Sequence, residues 1–93
     1  MPRTVVITRR FEQAYRRFHV PEQRLIAASL QQLHVYLQTG HAPAGLGLKR
    51  LSHRTYEFRA GLALRVVYVI DDATVYLALV GRHDDVQRFL KRQ

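Results

Sequence analysis

The first half of the chain contains a short β-branched run and then stripes of apolar residues at helical spacing. Residues 4–8 place Val-Val-Ile between two threonines, which is typical of a strand. The apolar residues that follow would share one side of a helix and are mainly aromatic: Phe11, Ala14, Tyr15 and Phe18. This spacing predicts a helix that carries the stripe into the core, with Arg16 and Arg17 turned away.

A second helix is predicted to begin at Val20-Pro21-Glu22, where proline fits the first turn and an early carboxylate complements the helix dipole. Its apolar face follows the i, i+4, i+7, i+11 pattern: Ile26, Leu30, Leu33 and Leu37. Thr39-Gly40 supplies the end, because glycine can adopt the left-handed conformation that closes a helix. The two helices together predict an antiparallel hairpin.

The second half of the chain has the pattern of a loop followed by three strands. Residues 41–48 contain one proline and two glycines, and residues 49–54 continue this loop with three cations. The first predicted strand alternates apolar and charged side chains, and the next two are almost continuously apolar, as expected for central strands. Gly61 and residues 71–73 supply the turns between these strands, which span residues 56–60, 64–70 and 74–80.

Residues 81–93 are predicted to form a short helix, with Asp84 and Asp85 in its first turn and three apolar side chains facing inward: Val86, Phe89 and Leu90. The element order is therefore β-α-α-β-β-β-α, in a single domain that spans residues 1–93. This order predicts an α+β fold in which the helical hairpin covers one face of a mainly antiparallel sheet. The other face is left partly open, so candidate chemistry is expected there.

The chain is strongly basic, and its cations are mostly arginines. Fifteen Lys and Arg residues stand against seven Asp and Glu residues, which gives a formal charge of +8, and thirteen of the fifteen are arginine. Arginine suits bidentate contact with phosphate and stacking on bases, so the composition favours a polyanion or an acidic protein as partner over a generally solvated surface. A chain of this length removes only roughly 60 to 65% of its unfolded surface from water when it folds, so its core is small. A bound partner would add to the stability of the fold.

Cysteine content and the N-terminal sequence exclude several classes of protein. The chain has no cysteine, which excludes a disulfide framework, a thiolate nucleophile and a cysteine-based zinc site. The apolar run near the N-terminus is too short for a signal peptide or a membrane span. We therefore expect a cytoplasmic protein with no membrane association.

Three charged residues of the predicted sheet could meet on its open face. Alternate side chains of a strand share a face, so Glu57 and Arg59 lie together, opposite Tyr56 and Phe58. Arg65 interrupts an otherwise apolar strand and could project onto the same face. Fixed on rigid strands, the two arginines could hold a phosphate and stabilise the charge that develops on it during transfer. Alternatively, Arg65 forms an ion pair of little energetic worth with Glu57 across the strands.

His83 is the best acid–base candidate in the sequence. It follows the last predicted strand, between Arg82 and Asp84, where strand ends meet a helix N-terminus. Imidazole titrates near neutral pH, so His83 could protonate a leaving 5′-oxygen or accept a proton from a ribose 2′-hydroxyl. The alternative is a surface or capping residue at the start of a helix.

A basic patch interleaved with ring side chains follows the loop: Lys49, Arg50 and Arg54 with His53 and Tyr56. Such a patch suits single-stranded RNA, through phosphate contacts and stacking, and it would equally suit an acidic protein. Arg82 is the fourth candidate RNA-binding cation. The histidines have no metal-ligand spacing, so we expect no metal and no other cofactor.

Four short segments can be compared with known families by their order and spacing. They are Leu48-Lys49-Arg50-Leu51, Tyr56-Glu57-Phe58-Arg59, Leu64-Arg65-Val66-Val67-Tyr68 and, at residues 75–86, Val-Tyr-Leu-Ala-Leu-Val-Gly-Arg-His-Asp-Asp-Val. Together with the preceding helical hairpin and the basic charge, they resemble the RelE/ParE toxin superfamily and its RelE-like branch. The resemblance covers most of the chain.

The resemblance implies a type II toxin that stops translation by cutting mRNA on the ribosome. RelE-like toxins carry cations on the second and third strands and a basic or histidine residue after the last strand, which here are Arg59, Arg65 and His83. By this resemblance the arginines stabilise the pentacovalent phosphate, His83 is the general acid and the RNA 2′-hydroxyl is the nucleophile. Glu57 would be the general base or an ion-pair partner. A cognate antitoxin that wraps the toxin and covers its basic surface is also implied.

The sequence departs from this resemblance at two positions. Glu57 stands where ribosome-dependent members often carry another cation, and Gln87 stands where many carry an aromatic residue that stacks on the substrate base. A carboxylate near a scissile phosphate opposes its binding. Two alternatives therefore stay open: a ParE-like, non-enzymatic inhibitor of DNA gyrase, and a catalytically degenerate member that binds an antitoxin.

Overall fold

The computed structural model describes residues 4–92. The elements in this range are β1 (Thr4–Ile7), α1 (Arg9–Arg16), α2 (Val20–Thr39), β2 (Lys49–Arg50), β3 (Thr55–Ala60), β4 (Leu64–Asp71), β5 (Thr74–Gly81) and α3 (His83–Lys91). The strands form one sheet in the order β1-β5-β4-β3-β2, in which β1 runs parallel to β5 and the other neighbours are antiparallel. The predicted α+β architecture is confirmed, with one additional strand.

α1 begins soon after β1 because Thr8 caps the helix, whereas the sequence predicted Thr8 as the last residue of the strand. Its Oγ1 accepts a hydrogen bond from the Phe11 amide at 3.2 Å and donates one to the Leu77 carbonyl at 2.6 Å. The helix ends at Arg16, so Phe18 packs against the core from the turn that follows. The cap thus fixes the start of α1 against β5.

α2 has the predicted signals at both of its ends. Glu22 Oε1 accepts a hydrogen bond from the His19 amide at 3.2 Å, and Gly40 closes the helix with a φ of 77°. The predicted apolar stripe packs against the core through all of its members: Ile26, Leu30, Leu33 and Leu37. No helix within residues 4–92 is long and apolar enough to cross a membrane.

Lys49 and Arg50 form a short edge strand, where the sequence predicted a continuing loop. Lys49 pairs with Glu57, and Arg50 pairs with Tyr56. A two-residue strand has no alternation that could be recognised in the sequence, and it forms because β3 offers an open edge for backbone pairing. This pairing places Lys49 on the sheet, beside Glu57.

A β-bulge at Ala78 divides the side chains of β5 between the two faces of the sheet. Val67 pairs with Leu79 and Tyr68 pairs with Leu77, so Ala78 has no partner in β4. Leu77 therefore packs in the core beneath α1 and α2, whereas Leu79 packs with α3 on the opposite face. This division explains why residues 74–80 are almost continuously apolar.

Two apolar clusters lie on opposite faces of the sheet. The larger cluster joins the sheet to α1 and α2 and includes Phe11, Ile26, Leu33, Phe58, Val66 and Tyr68. The smaller cluster joins the sheet to α3 and contains Val67, Leu79, Val86 and Phe89. Since α3 packs against β4 and β5, it covers part of the face that was predicted to be open. The uncovered part lies toward β3 and β2.

Candidate functional site

The strand site is a group of four charged side chains on the α3 side of the sheet. Arg59 and Arg65 are direct cross-strand partners in the β3–β4 ladder, and Lys49 of β2 pairs with Glu57 of β3. Side chains of paired residues project to the same face, and alternation along β3 places Glu57 and Arg59 on one face. The structure therefore brings together the strand residues named by the sequence and adds Lys49 to them.

Glu57 and Arg65 make the predicted contact across the strands. Arg65 Nε lies 3.5 Å from Glu57 Oε2, and the two side chains are 24% and 14% exposed. This carboxylate reduces the repulsion between Arg65 and the facing Arg59, because it places a negative charge beside two positive ones. Within residues 4–92, Arg59 has no carboxylate partner of its own.

The loop before β2 supports Arg59. The Arg59 amide donates a hydrogen bond to the carbonyl of the buried Leu46 at 2.8 Å. Gly47 has a φ of 64°, and a Cβ at that position would lie 3.0 Å from Cγ, Cδ and Nε of Arg59. The arginine stem therefore lies against the loop backbone, which restricts where its guanidinium group projects. The sequence did not indicate this role, because a glycine in a loop predicts only a turn.

Gly81 lets the first turn of α3 approach the sheet beside Arg65. It pairs with Arg65 in the β4–β5 ladder, and a Cβ on Gly81 would lie only 2.7 Å from the Asp85 Cβ. Asp85 in turn caps α3, since its Oδ2 accepts a hydrogen bond from the Arg82 amide at 2.9 Å. His83 is the exposed first residue of this helix. Its predicted position is thus confirmed, and its acid–base role stays a prediction.

The other candidate RNA-binding cations make contacts within the chain. Arg50 donates hydrogen bonds to two backbone carbonyls of the loop that follows it. Arg54 pairs with Asp71 at 3.0 Å, and Arg82 pairs with Glu22 at 2.9 Å. These three arginine side chains are thus engaged by other parts of the chain, and Lys49 is the member of the predicted patch that shares the face of the strand site.

Two aromatic residues near the predicted site belong to the core. Tyr56 lies on the helix-covered face, where its ring stacks on Tyr68 with a centroid separation of 5.4 Å. Phe89 is a residue of α3 and is buried between this helix and the sheet, whereas Gln87 of the same helix is exposed. In the described range 4–92, no group of three His, Asp or Glu side chains is placed to hold a metal ion.

Several solved toxin structures share this fold over about nine-tenths of the chain. A chain of the DinJ–YafQ toxin–antitoxin complex from Escherichia coli has a TM-score of 0.68 at 14% identity and covers 92% of this chain and 98% of its own. A chain of the RelB–RelE complex from Methanococcus jannaschii has a TM-score of 0.68 at 12% identity, with coverages of 90% and 96%. The YoeB chain from Staphylococcus aureus has a TM-score of 0.66 at 18% identity, with coverages of 89% and 99%.

No protein-family model and no curated protein sequence matches the chain significantly. The structural likeness extends over nearly the full length of the matched toxin chains, so no large element of either molecule is left out. At these identities the likeness establishes the fold and does not transfer an activity. The chain has the RelE-like fold that the YafQ, RelE and YoeB toxins share.

Proposed function

We propose that this chain is the toxin of a type II toxin–antitoxin pair and that it stops translation in the cytoplasm by cutting mRNA on the ribosome. The observation that carries the proposal is the cross-strand pair of Arg59 and Arg65 on the incompletely covered face of a RelE-like fold. Two guanidinium groups on neighbouring strands form a rigid site for one phosphate. The chemistry proposed for this site requires no metal and no other cofactor.

The two arginines would hold the scissile phosphate. Like charges that face each other across a ladder cost free energy in the free protein, and a phosphodiester between them would turn this repulsion into attraction. The attraction would grow as negative charge builds up on the phosphate in the transition state. Lys49, on the same face, would contact a neighbouring phosphate of the RNA strand.

The reaction is a transfer within the RNA itself. The 2′-hydroxyl oxygen forms a bond to the adjacent phosphorus while the bond from phosphorus to the 5′-oxygen breaks. His83 would give a proton to the departing 5′-oxygen, and Glu57 is the carboxylate of the strand site that could take the proton of the 2′-hydroxyl. The products are a 2′,3′-cyclic phosphate and a 5′-hydroxyl. Glu57 also orients Arg65 through their 3.5 Å contact.

A protein antitoxin fits the charge of the chain. The formal charge of +8 leaves a basic surface that an acidic segment would complement. Both the DinJ–YafQ and the RelB–RelE structures are toxin–antitoxin complexes. A segment that covers Arg59 and Arg65 would block access to the proposed site, and it would also stabilise the small fold by mass action.

Primer extension on a reporter mRNA in a translating extract tests the proposal. Wild-type protein should produce discrete in-frame cuts. Arg65→Ala should reduce cleavage by about 10²- to 10³-fold through loss of phosphate stabilisation. His83→Ala should reduce it by about 10²- to 10⁴-fold through loss of the proton donor. Arg24→Ala, an exposed position of α2, is the matched control and should cut like the wild type.

Intact mRNA in the presence of wild-type protein would contradict the proposal. If cells that express the chain nonetheless stop growing, a supercoiling assay with DNA gyrase would test the non-enzymatic alternative. If the mRNA stays intact and growth continues, the chain is a catalytically degenerate member of this fold, and antitoxin binding would be the activity left to measure.

A further inference from the structure

A second basic surface lies between α1 and α3, on the side of α3 away from β3. It is a cleft of about 330 Å³ with a floor of apolar side chains from α1 and β5. Four arginines line it: Arg10 of α1, Arg17 directly after α1, Arg88 of α3 and Arg92 directly after α3. We call this surface the arginine cleft. It is distinct from the strand site, whose residues lie on β2, β3 and β4.

The arginine cleft has a large excess of positive charge. Asp85 is the one carboxylate among its lining residues, and both of its oxygens are already engaged, by the Arg82 amide and by the Arg88 side chain. Within residues 4–92, the side chains of Arg17 and Arg92 form no ion pair. Positive charges around a concave surface with an apolar floor produce a strong local electrostatic potential. The cleft should therefore attract an anion from outside the chain.

The walls of the cleft are held in place before any ligand binds. The Arg10 guanidinium carbon lies 5.0 Å from the centre of the Phe89 ring, which is itself buried. The Thr8 cap fixes the start of α1 against β5. A ligand would therefore meet Arg10 and Arg88 already held, by Phe89 and by Asp85, which reduces the entropy lost on binding.

The spacing of the arginines suits a chain of phosphates better than a single small anion. Arg17 and Arg92 directly follow α1 and α3 in helical conformation, so at the usual helical rise Arg10 and Arg17 are separated by about 10 Å, and Arg88 and Arg92 by about 6 Å. Two facing rows of guanidinium groups can meet repeated charges at successive points. The apolar floor, which includes Phe18, offers a surface to a ribose or a base, as in other grooves that bind single strands.

We propose that the arginine cleft binds the backbone of single-stranded RNA and is a second contact for the strand that the strand site cuts. This inference rests on the proposed function, because it assumes that RNA is the substrate. A double helix is too wide to enter a cleft of about 330 Å³. A peptide of aspartate and glutamate alone would satisfy the charge and offer no ring to the apolar floor.

Binding of a fluorescent 2′-O-methyl RNA tests this proposal, because this RNA lacks the nucleophile and stays intact. The variant Arg17→Gln/Arg92→Gln removes the two cleft cations that have no ion pair in residues 4–92. The control Arg9→Gln/Arg24→Gln removes the same charge from exposed positions of α1 and α2 outside the cleft. Fluorescence anisotropy at several salt concentrations then compares both variants with the wild type.

We expect the cleft variant to lower the log–log salt slope by about 1.4, which is about 0.7 for each phosphate that the protein no longer neutralises. At about 0.1 M salt this corresponds to an affinity about 25-fold weaker. The control variant should keep the slope and affinity of the wild type. If the double variant melts below the assay temperature by circular dichroism, the single variant Arg17→Gln replaces it, with an expected slope change of about 0.7.

Two results would overturn the proposal. Equal losses in the cleft and control variants would show that total charge attracts RNA. Unchanged RNA affinity with weaker binding to polyglutamate would assign the cleft to an acidic protein. The binding test does not require cleavage: if the wild type cuts no mRNA and the cleft variant still loses RNA affinity, the proposed function fails, and with it the role of the cleft for a cleaved strand, while RNA binding by the cleft stands. If the cleft variant instead cuts mRNA and binds RNA as the wild type does, the proposed function stands and the cleft does not bind RNA.

Discussion

Gly47 lies in contact with Arg59: a Cβ on the glycine would be 3.0 Å from three atoms of the arginine side chain. The two residues belong to different elements, since Gly47 lies in the loop before β2 and Arg59 lies on β3. The glycine has a φ of 64°, a conformation that other residues adopt only at a cost. The direction of a candidate catalytic guanidinium group thus depends on a loop residue with no functional group of its own.

Gly47→Ala should therefore impair cleavage more than it impairs folding. The new methyl group would push the Arg59 stem aside, and since misplacement of a catalytic group by about 1 Å can cost on the order of 10²-fold in rate, the smaller shift expected here should cost less than that. The left-handed backbone should cost about 1–2 kcal/mol of the free energy of unfolding. Cleavage is measured by primer extension, and stability is measured by urea denaturation.

Gly45→Ala is the matched control for this prediction. Gly45 has a φ of 86° in the same loop, and a Cβ there would have nothing within 4 Å. The backbone cost should be similar, about 1–2 kcal/mol, while Arg59 is left in place. Equal cleavage rates in the two variants would show that Gly47 does not position Arg59.

Glu57→Gln should lower cleavage by about 10²-fold or more, because the amide oxygen can still accept a contact from Arg65 but the amide cannot take the proton of the 2′-hydroxyl. Glu57→Ala should lower the free energy of unfolding by about 1–2 kcal/mol, since it leaves Arg59 and Arg65 facing each other with no negative charge between them. Cleavage rates and urea denaturation of both variants measure these effects. A loss of less than about 10-fold in Glu57→Gln would limit Glu57 to its contact with Arg65.

The sequence predicted the sheet and helices because their signals are local. Helical spacing and strand alternation repeat within a few residues, so they identified α2 and placed Glu57 opposite Phe58. The bulge at Ala78 has no such signal. In a continuous apolar run, the sequence does not show at which residue the side chains switch from one face of the sheet to the other. β2 was missed for a related reason, since its two residues pair through backbone atoms alone.

The residues of the candidate site were predictable, and their contacts were predictable only in part. The contact of Glu57 with Arg65 follows from alternation across neighbouring strands. The arginine cleft could not be predicted, because its four cations lie on or directly after two helices at opposite ends of the chain. The same is true of Arg82, whose carboxylate partner is contributed by α2. Charge composition signals an anion-binding surface without saying which cations converge on it.

Arg82 is expected to stabilise the fold through Glu22. Its Nη2 lies 2.9 Å from Glu22 Oε2, and its guanidinium carbon lies 6.0 Å from the Phe18 ring centre. Because the pair is partly exposed, Arg82→Gln and Glu22→Gln should each cost up to about 1 kcal/mol of the free energy of unfolding, with a coupling of about 0.5 kcal/mol. A double-mutant cycle by urea denaturation measures the coupling. Additive effects at low salt would show that the two side chains do not interact in solution.

Gly81→Ala should destabilise α3 without straining the backbone. Gly81 is a strand residue, so alanine fits its conformation, and the cost arises only from the new Cβ, which would lie 2.7 Å from the Asp85 Cβ. The first turn of α3 must then move off the sheet, at an expected cost of about 1–3 kcal/mol. Because His83 moves with that turn, cleavage should fall together with the free energy of unfolding, as measured by primer extension and urea denaturation. A variant with wild-type stability would show that α3 can shift at no cost in free energy. A destabilised variant with full cleavage would show that the reaction does not depend on the position of His83.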